Sequence, residues 1–208
     1  MIEPVMKTPA HRLHAGIGAR FERRHGWEVP AAYGPPEDER AAIRQSVVMA
    51  DVTARGKIDL HGPVEEMLSR FPAGPEVLLA RLSAHWALIL TGPEGLDRWL
   101  GVAEQAAGPS GMATDATSIY TGIALLGPKA GEVVGRLTAT DVSTLADGGA
   151  TGLQFARIPA ILVRRERAVE IYAGAEYGRY LWRTVTAVVL KLGGRAAGWD
   201  ALQAEGWS

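Results

Sequence analysis

The sequence predicts an α+β fold made of two duplicated split-βαβ (ferredoxin-like) halves related by a pseudo-twofold. Three observations carry this. Residues 56–71 (GKIDLHGPVEEMLSRF) and 122–137 (GIALLGPKAGEVVGRL) share one order: an apolar strand, a Gly-Pro turn, then an amphipathic helix. Residues 85–102 (HWALILTGPEGLDRWLGV) and 168–185 (AVEIYAGAEYGRYLWRTV) each read as strand, glycine turn and helix, with Trp99 and Trp182 inside the helices. The two pairs recur in the same order at similar spacing, so the middle of the chain is a duplication.

Residues 1–50 read as an N-terminal segment and helix packing on a core formed by residues 51–208. Trp27, Pro30 and Tyr33 lie in a Gly/Pro-rich irregular run that is too aromatic for a solvated linker. Residues 37–49 (EDERAAIRQSVVM) predict a helix, since its opening acids suit the positive end of a helix dipole. Ala41, Ile43, Val47 and Val48 would form its apolar stripe. Residues 56–60 alternate like a half-buried strand and stop at Gly62-Pro63. Residues 78–82 and 155–163 read as additional strands, and residues 106–117 as a polar crossover. Two such sheets are expected to leave a central groove for a flat ligand.

Composition narrows the function. The 208 residues carry 22 Lys+Arg against 23 Asp+Glu, with no basic block, so nucleic acid is not an expected partner. There is no cysteine, which excludes disulfides and thiolate chemistry. No apolar run approaches the roughly 18 residues of a membrane span, and no signal sequence is seen, so a cytoplasmic protein is expected. Of the five histidines only His11 and His14 share a close spacing, read as a capping or pocket element rather than a metal site. Gly16-Ile17-Gly18-Ala19-Arg20 lacks the third glycine of a dinucleotide loop.

The first third of the chain resembles the start of the glycine-cleavage T-protein family of tetrahydrofolate-dependent aminomethyltransferases. The matching residues are Thr8-Pro9, His14, Gly18-Ala19-Arg20-Phe21, Gly26-Trp27-Glu28, Pro30, Tyr33, Glu39, Arg44, Asp51-Val52 and Gly56-Lys57. In length, and in Trp86-Ala87-Leu88-Ile89-Leu90 and Tyr180-Leu181-Trp182, the chain is similar to the γ subunit of heterotetrameric sarcosine oxidase, a reduced relative. The resemblance implies a folate-binding-type core without the C-terminal barrel of full T-proteins.

It also implies a site. Glu170, in an otherwise apolar strand, matches the family's pterin-binding glutamate, and a carboxylate can accept paired hydrogen bonds from an amino-pyrimidinone edge; the alternative is a side chain pointing to solvent. Tyr33 is read as lining a folate pocket or pinning its segment. Arg55 stands where the family often has methionine, as a folate contact or a solvated arginine. Thr91 and Trp199 complete the expected cofactor-binding set. The family's Asp-Asp segment is compressed to Ala73-Gly74-Pro75-Glu76-Val77-Leu78-Leu79-Ala80, its Val-Ser-Asn strand end becomes Leu90-Thr91-Gly92, and two arginines near the C-terminus become Trp199 and Gln203. No catalytic residue is assigned. The implied function is tetrahydrofolate-dependent one-carbon transfer in demethylation or amine oxidation; the alternative is a non-catalytic γ-type subunit or folate-sensing module. Trp199 and Trp207, expected at the surface, predict a homodimer or a hetero-oligomer with an oxidase or barrel-domain chain.

Overall fold

The computed structural model describes residues 4–72, 74 and 76–206. Strands β1 (Met6–Lys7), β2 (Arg20–Arg24) and β3 (Trp27–Ala32) form a small sheet in the order β1-β3-β2, with helix α1 (His11–Gly16) between the first two in sequence. Helix α2 (Pro36–Gln45) opens on Glu37, Asp38 and Glu39 but ends four residues before the expected end. Val48–Asp51 is a strand, β4. Val47, Val48, Met49 and Ala50 are all buried, and a short apolar run of this kind suits a doubly covered strand as well as a helix.

The duplication is present in the topology. The first half runs β5 (Gly56–His61), α3 (Val64–Arg70), β6 (Val77–Arg81), β7 (Trp86–Thr91), α4 (Leu96–Ala107) and β8 (Met112–Asp115). Its sheet has the order β6-β7-β5-β8, and every pairing is antiparallel. The second half runs β9 (Tyr120–Leu126), α5 (Ala130–Leu137), β10 (Ala150–Phe155), β11 (Ile158–Arg165), β12 (Ala168–Gly174), α6 (Gly178–Lys191), β13 (Arg195–Ala196) and α7 (Trp199–Ala204). Its order, β10-β11-β12-β9-β4-β13, contains β11-β12-β9-β4 as the counterpart of β6-β7-β5-β8.

The halves differ at their edges. After α4 the chain returns as β8 beside β5, so the crossover expected over residues 106–117 contains a strand. After α6 it returns as β13, but β4 already fills the place beside β9, and β13 pairs outside it in parallel. The single strand expected over residues 155–163 is the turn and second arm of a hairpin. Ala156 and Arg157 take φ of 50° and 66° there, a left-handed two-residue turn without glycine or asparagine to announce it.

Each sheet buries one face under its own helices: Val133, Val134, Leu181 and Trp182 over the larger sheet, Met67, Trp99 and Ala103 over the smaller. Trp99 and Trp182 thus hold equivalent places, as the repeat implies. The opposite faces meet each other. Ala80, Leu88 and Leu90 pack against Ala124, Leu126, Val163 and Tyr172. The expected central groove is therefore filled at this level by apolar side chains, which stabilise the contact by roughly 1.5–3 kcal/mol for each large one fully buried. Among the described residues no helix is long and apolar enough to cross a membrane.

Candidate functional site

The polar groups of the chain converge on the segment from Asp51 to Lys57, which joins β4 to β5. Strand alternation turns Ala168, Glu170 and Tyr172 of β12 toward the space between the sheets. Glu170 has no exposed surface. Its Oε1 accepts hydrogen bonds from Arg55 Nη1 at 3.0 Å and Arg165 Nη1 at 3.1 Å, and its Oε2 accepts one from the Tyr172 hydroxyl. Neither surface alternative holds: Glu170 does not point to solvent, and Arg55 is 2% exposed rather than solvated. Charges meeting inside the protein explain this, because a buried carboxylate needs a cation and hydrogen bonds to offset its lost hydration. Burial, reinforced by the Glu170 charge, pushes the Tyr172 phenol well above its ordinary value.

Lys57 lies beneath this cluster with no exposed surface. Its ammonium donates to the Thr53 and Arg55 carbonyls at 2.7 Å each and stands 5.8 Å from the Tyr172 ring centroid. Burial pulls its pKa down to about 7; Asp51, Asp115 and Glu170 oppose the fall, and Arg55 adds to it. Both carbonyls can keep their donors even when the amine is neutral, since an NH₂ group still carries two N–H bonds.

A second network joins Tyr33 and Trp199 to the same segment. The Tyr33 hydroxyl lies 2.8 Å from His14 Nδ1, and His14 Nε2 lies 2.6 Å from an Asp51 carboxylate oxygen. Burial, then the charges of Asp51 and Glu39, push the Tyr33 phenol far up, so it retains its proton and donates to Nδ1. The imidazole then donates from Nε2 to Asp51. Burial alone would raise the Asp51 carboxyl; the hydrogen bonds from His14 and Thr53 outweigh it and hold the group below its usual range. Glu39, also buried, accepts the backbone N–H groups of Tyr33 and Gly198.

Trp199 corrects an expectation. It is 3% exposed, donates from Nε1 to the Asp51 carbonyl at 2.8 Å, and has the Arg24 guanidinium 5.8 Å from its ring centroid. Gly198 makes this possible, since a Cβ there would run into the backbone of Ala31 and Ala32. Trp199 therefore contributes no exposed surface for association, and Trp207 lies outside the described residues. Thr91, wholly buried, sits across the β5–β7 ladder from Gly56, where a Cβ would strike its hydroxyl. The close spacing of His11 and His14 does not bring them to one site: His11 pairs with Glu28 and stacks on Phe21.

Arg55 and Glu170 thus touch directly, Tyr33 and Trp199 reach the same segment through His14 and Asp51, and Thr91 braces Gly56. From the sequence, His14 is read as a capping or pocket element and Glu39, Asp51 and Lys57 only as residues that match the family, and Tyr172 has no role. Their signal was a polar group set in otherwise apolar surroundings, as Lys57 is in the strand that follows Gly56. Two surface depressions approach the cluster. One of about 870 Å³, between α5 and the β11–β12 turn, is lined by Arg165; one of about 400 Å³ is lined by Ala54, Trp27 and Thr117. Neither is lined by Glu170 or Arg55.

Comparison with known proteins places the fold. The GCVT N-terminal domain profile matches residues 73–205. An aminomethyltransferase of Symbiobacterium thermophilum is 27% identical over 220 residues, spanning 89% of this chain and 59% of that protein. One of Desulforamulus reducens is 23% identical over 96% of this chain and 63% of its own length. The chain therefore spans about three-fifths of the aminomethyltransferases it matches. In fold it is similar to the glycine cleavage system aminomethyltransferase T of Bartonella henselae (TM-score 0.78, 18% identity, 95% of this chain and 60% of that one). It is also similar to a chain of the heterotetrameric sarcosine oxidase of Corynebacterium sp. U-96 (TM-score 0.64, 17% identity), covering 86% of this chain and 92% of that one.

Proposed function

The chain belongs to the GCVT N-terminal domain family, and from that premise we propose that it is a T-protein-type subunit working beside a partner chain in the oxidation or demethylation of a methylated amine, with tetrahydrofolate transfer at Glu170 given up. The observation that carries this is the closure of Glu170. A pterin edge would need both carboxylate oxygens as paired acceptors. Here Oε1 already holds two guanidiniums and Oε2 holds the Tyr172 hydroxyl. Tyr33 and Trp199, expected to line a folate pocket, are committed to His14 and Asp51. The residues present do not fit tetrahydrofolate in this arrangement, and no transfer step is derived through it.

The partner half of the proposal is supported by the similar fold of a chain drawn from the heterotetrameric sarcosine oxidase, 92% of which this chain covers. A cytoplasmic hetero-oligomer is the expected setting, with a homodimer as the alternative. Sedimentation velocity of the chain alone, and mixed with any flavin-dependent amine oxidase chain found encoded beside it, tests this. Co-sedimentation at a fixed ratio is expected; two independent boundaries would count against it.

The second reading is a tetrahydrofolate-binding one-carbon transfer protein, with Glu170, Tyr33, Arg55, Thr91 and Trp199 around the folate. What favours it is that the carboxylate persists between the sheets and that neighbours on either side, Ala54 and Arg165, line depressions. Folate titration separates the two readings.

A further inference from the structure

We infer that Arg55 is a built-in occupant of the Glu170 site: its guanidinium holds the place of a flat amidine-type ligand, and shortening the side chain turns the closed core into a binding site for such ligands. The inference rests on the reading that the Glu170 carboxylate is committed internally. It goes further by naming the residue that closes the site and the chemistry that closure excludes.

The first support is chemical. A guanidinium and a cyclic amidine, such as the 2-amino-pyrimidinone edge, offer a carboxylate the same thing: planar N–H donors beside a delocalised ring or fork. Arg55 donates from Nη1 to Glu170 Oε1 from β5's leading turn, with Tyr172 closing the other carboxylate oxygen. The second support is architectural. The turn that carries Arg55 is held without its side chain, since Lys57 binds the Thr53 and Arg55 carbonyls and Asp51 binds the Thr53 N–H. Truncation therefore removes the occupant and leaves the frame. Third, Arg165 remains on Glu170 Oε1 and is itself 24% exposed at the side chain, so the carboxylate keeps a cation when Arg55 is shortened. Arg165 and Ala54 each line a surface depression, which gives the vacated space an approach from outside.

The test uses the full chain, with methylguanidinium and 2-amino-4-pyrimidinone at millimolar concentration as probes. Thermal unfolding and calorimetric titration are read for wild type, Arg55→Ala and the double variant Arg55→Ala with Glu170→Gln. Arg55→Ala is expected to bind both probes at least tenfold more tightly than wild type and to gain thermal stability from them; the double variant is expected to lose both effects. A folded Arg55→Ala that responds no more than wild type overturns the inference. Should Arg55→Ala not fold, Arg55→Gln, which keeps an amide near Glu170 but is shorter than arginine, is read in its place and is expected to fold and to bind the probes more tightly than wild type; a folded Arg55→Gln that responds no more than wild type overturns the inference. If neither variant folds, with or without probe, the pair is structural only and the inference falls. The underlying reading fails separately: Glu170-dependent binding of 5-formyltetrahydrofolate to wild type contradicts it, whereas an unresponsive, folded Arg55→Ala leaves it standing.

Discussion

Glu170 shows what a single buried charge demands of its neighbours. Taking the carboxylate away leaves the buried Arg55 guanidinium facing a core that gives it no water, and breaking a buried pair from one side costs roughly 3–5 kcal/mol. Glu170→Ala is expected to lower the unfolding free energy by that amount, read as a lower urea midpoint with no change of slope. Glu170→Met combined with Arg55→Met should recover most of the loss, because an apolar pair of similar volume leaves no buried charge; a double variant as unstable as the single one would mean the ion pair is not the source. Lys57 sets a pH dependence of the opposite kind to a salt-bridged lysine. Its folded pKa is depressed to about 7, against an ordinary value of about 10.4. Between these values the unfolded chain binds a proton that the folded chain lacks, so stability rises with pH from about 7 upward, by at most about 1.4 kcal/mol per unit. The buried phenols are raised, so they erode stability only above about pH 10. Denaturation of wild type and Lys57→Met between about pH 7.5 and 9.5 checks this: the difference between the two should widen steadily in favour of wild type, and parallel curves would refute it. A carboxylate in the apolar Ala168-Val169-Glu170-Ile171 run was legible in the sequence. Its partner was not, because Arg55 lies 115 residues away and meets it across two sheets.

At the scale of elements, the strand-turn-helix order was legible wherever a Gly-Pro pair or a glycine turn punctuated an apolar run, and the topology repeats it. Two kinds of element escaped. The end of α2 and the start of β4 share one apolar stretch, and only pairing with β9 decides that Val48–Asp51 is extended. The β10–β11 hairpin turns on Ala156 and Arg157, residues that rarely accept positive φ. The seating of α7 depends on a close approach that a sequence pattern does not show. Gly198→Ala would set a Cβ against the Ala31 backbone, and the resulting overpacking is expected to cost about 1–3 kcal/mol. It should also loosen Trp199 from the Asp51 carbonyl, seen as a red shift and easier quenching of tryptophan emission. Unchanged emission and stability would show that α7 is not held by this contact.

For the molecule as a whole, duplication explains both the fold and the closure. Two related sheets present their inner faces to each other, and here apolar side chains, one carboxylate and two arginines fill the space between them. The duplicated architecture could be read from the repeat, but whether the space between the copies is open or filled depends on long-range contacts that no local spacing encodes. On the function proposed above, the Arg55–Glu170 contact closes this space to a pterin. The most direct measurement is calorimetric titration of the wild-type chain and of Glu170→Ala with 5-formyltetrahydrofolate. No binding that depends on Glu170 is expected: the two proteins, both folded, give the same absent or weak heats. Binding by wild type that weakens tenfold or more in Glu170→Ala would contradict it, showing that the carboxylate opens to a pterin.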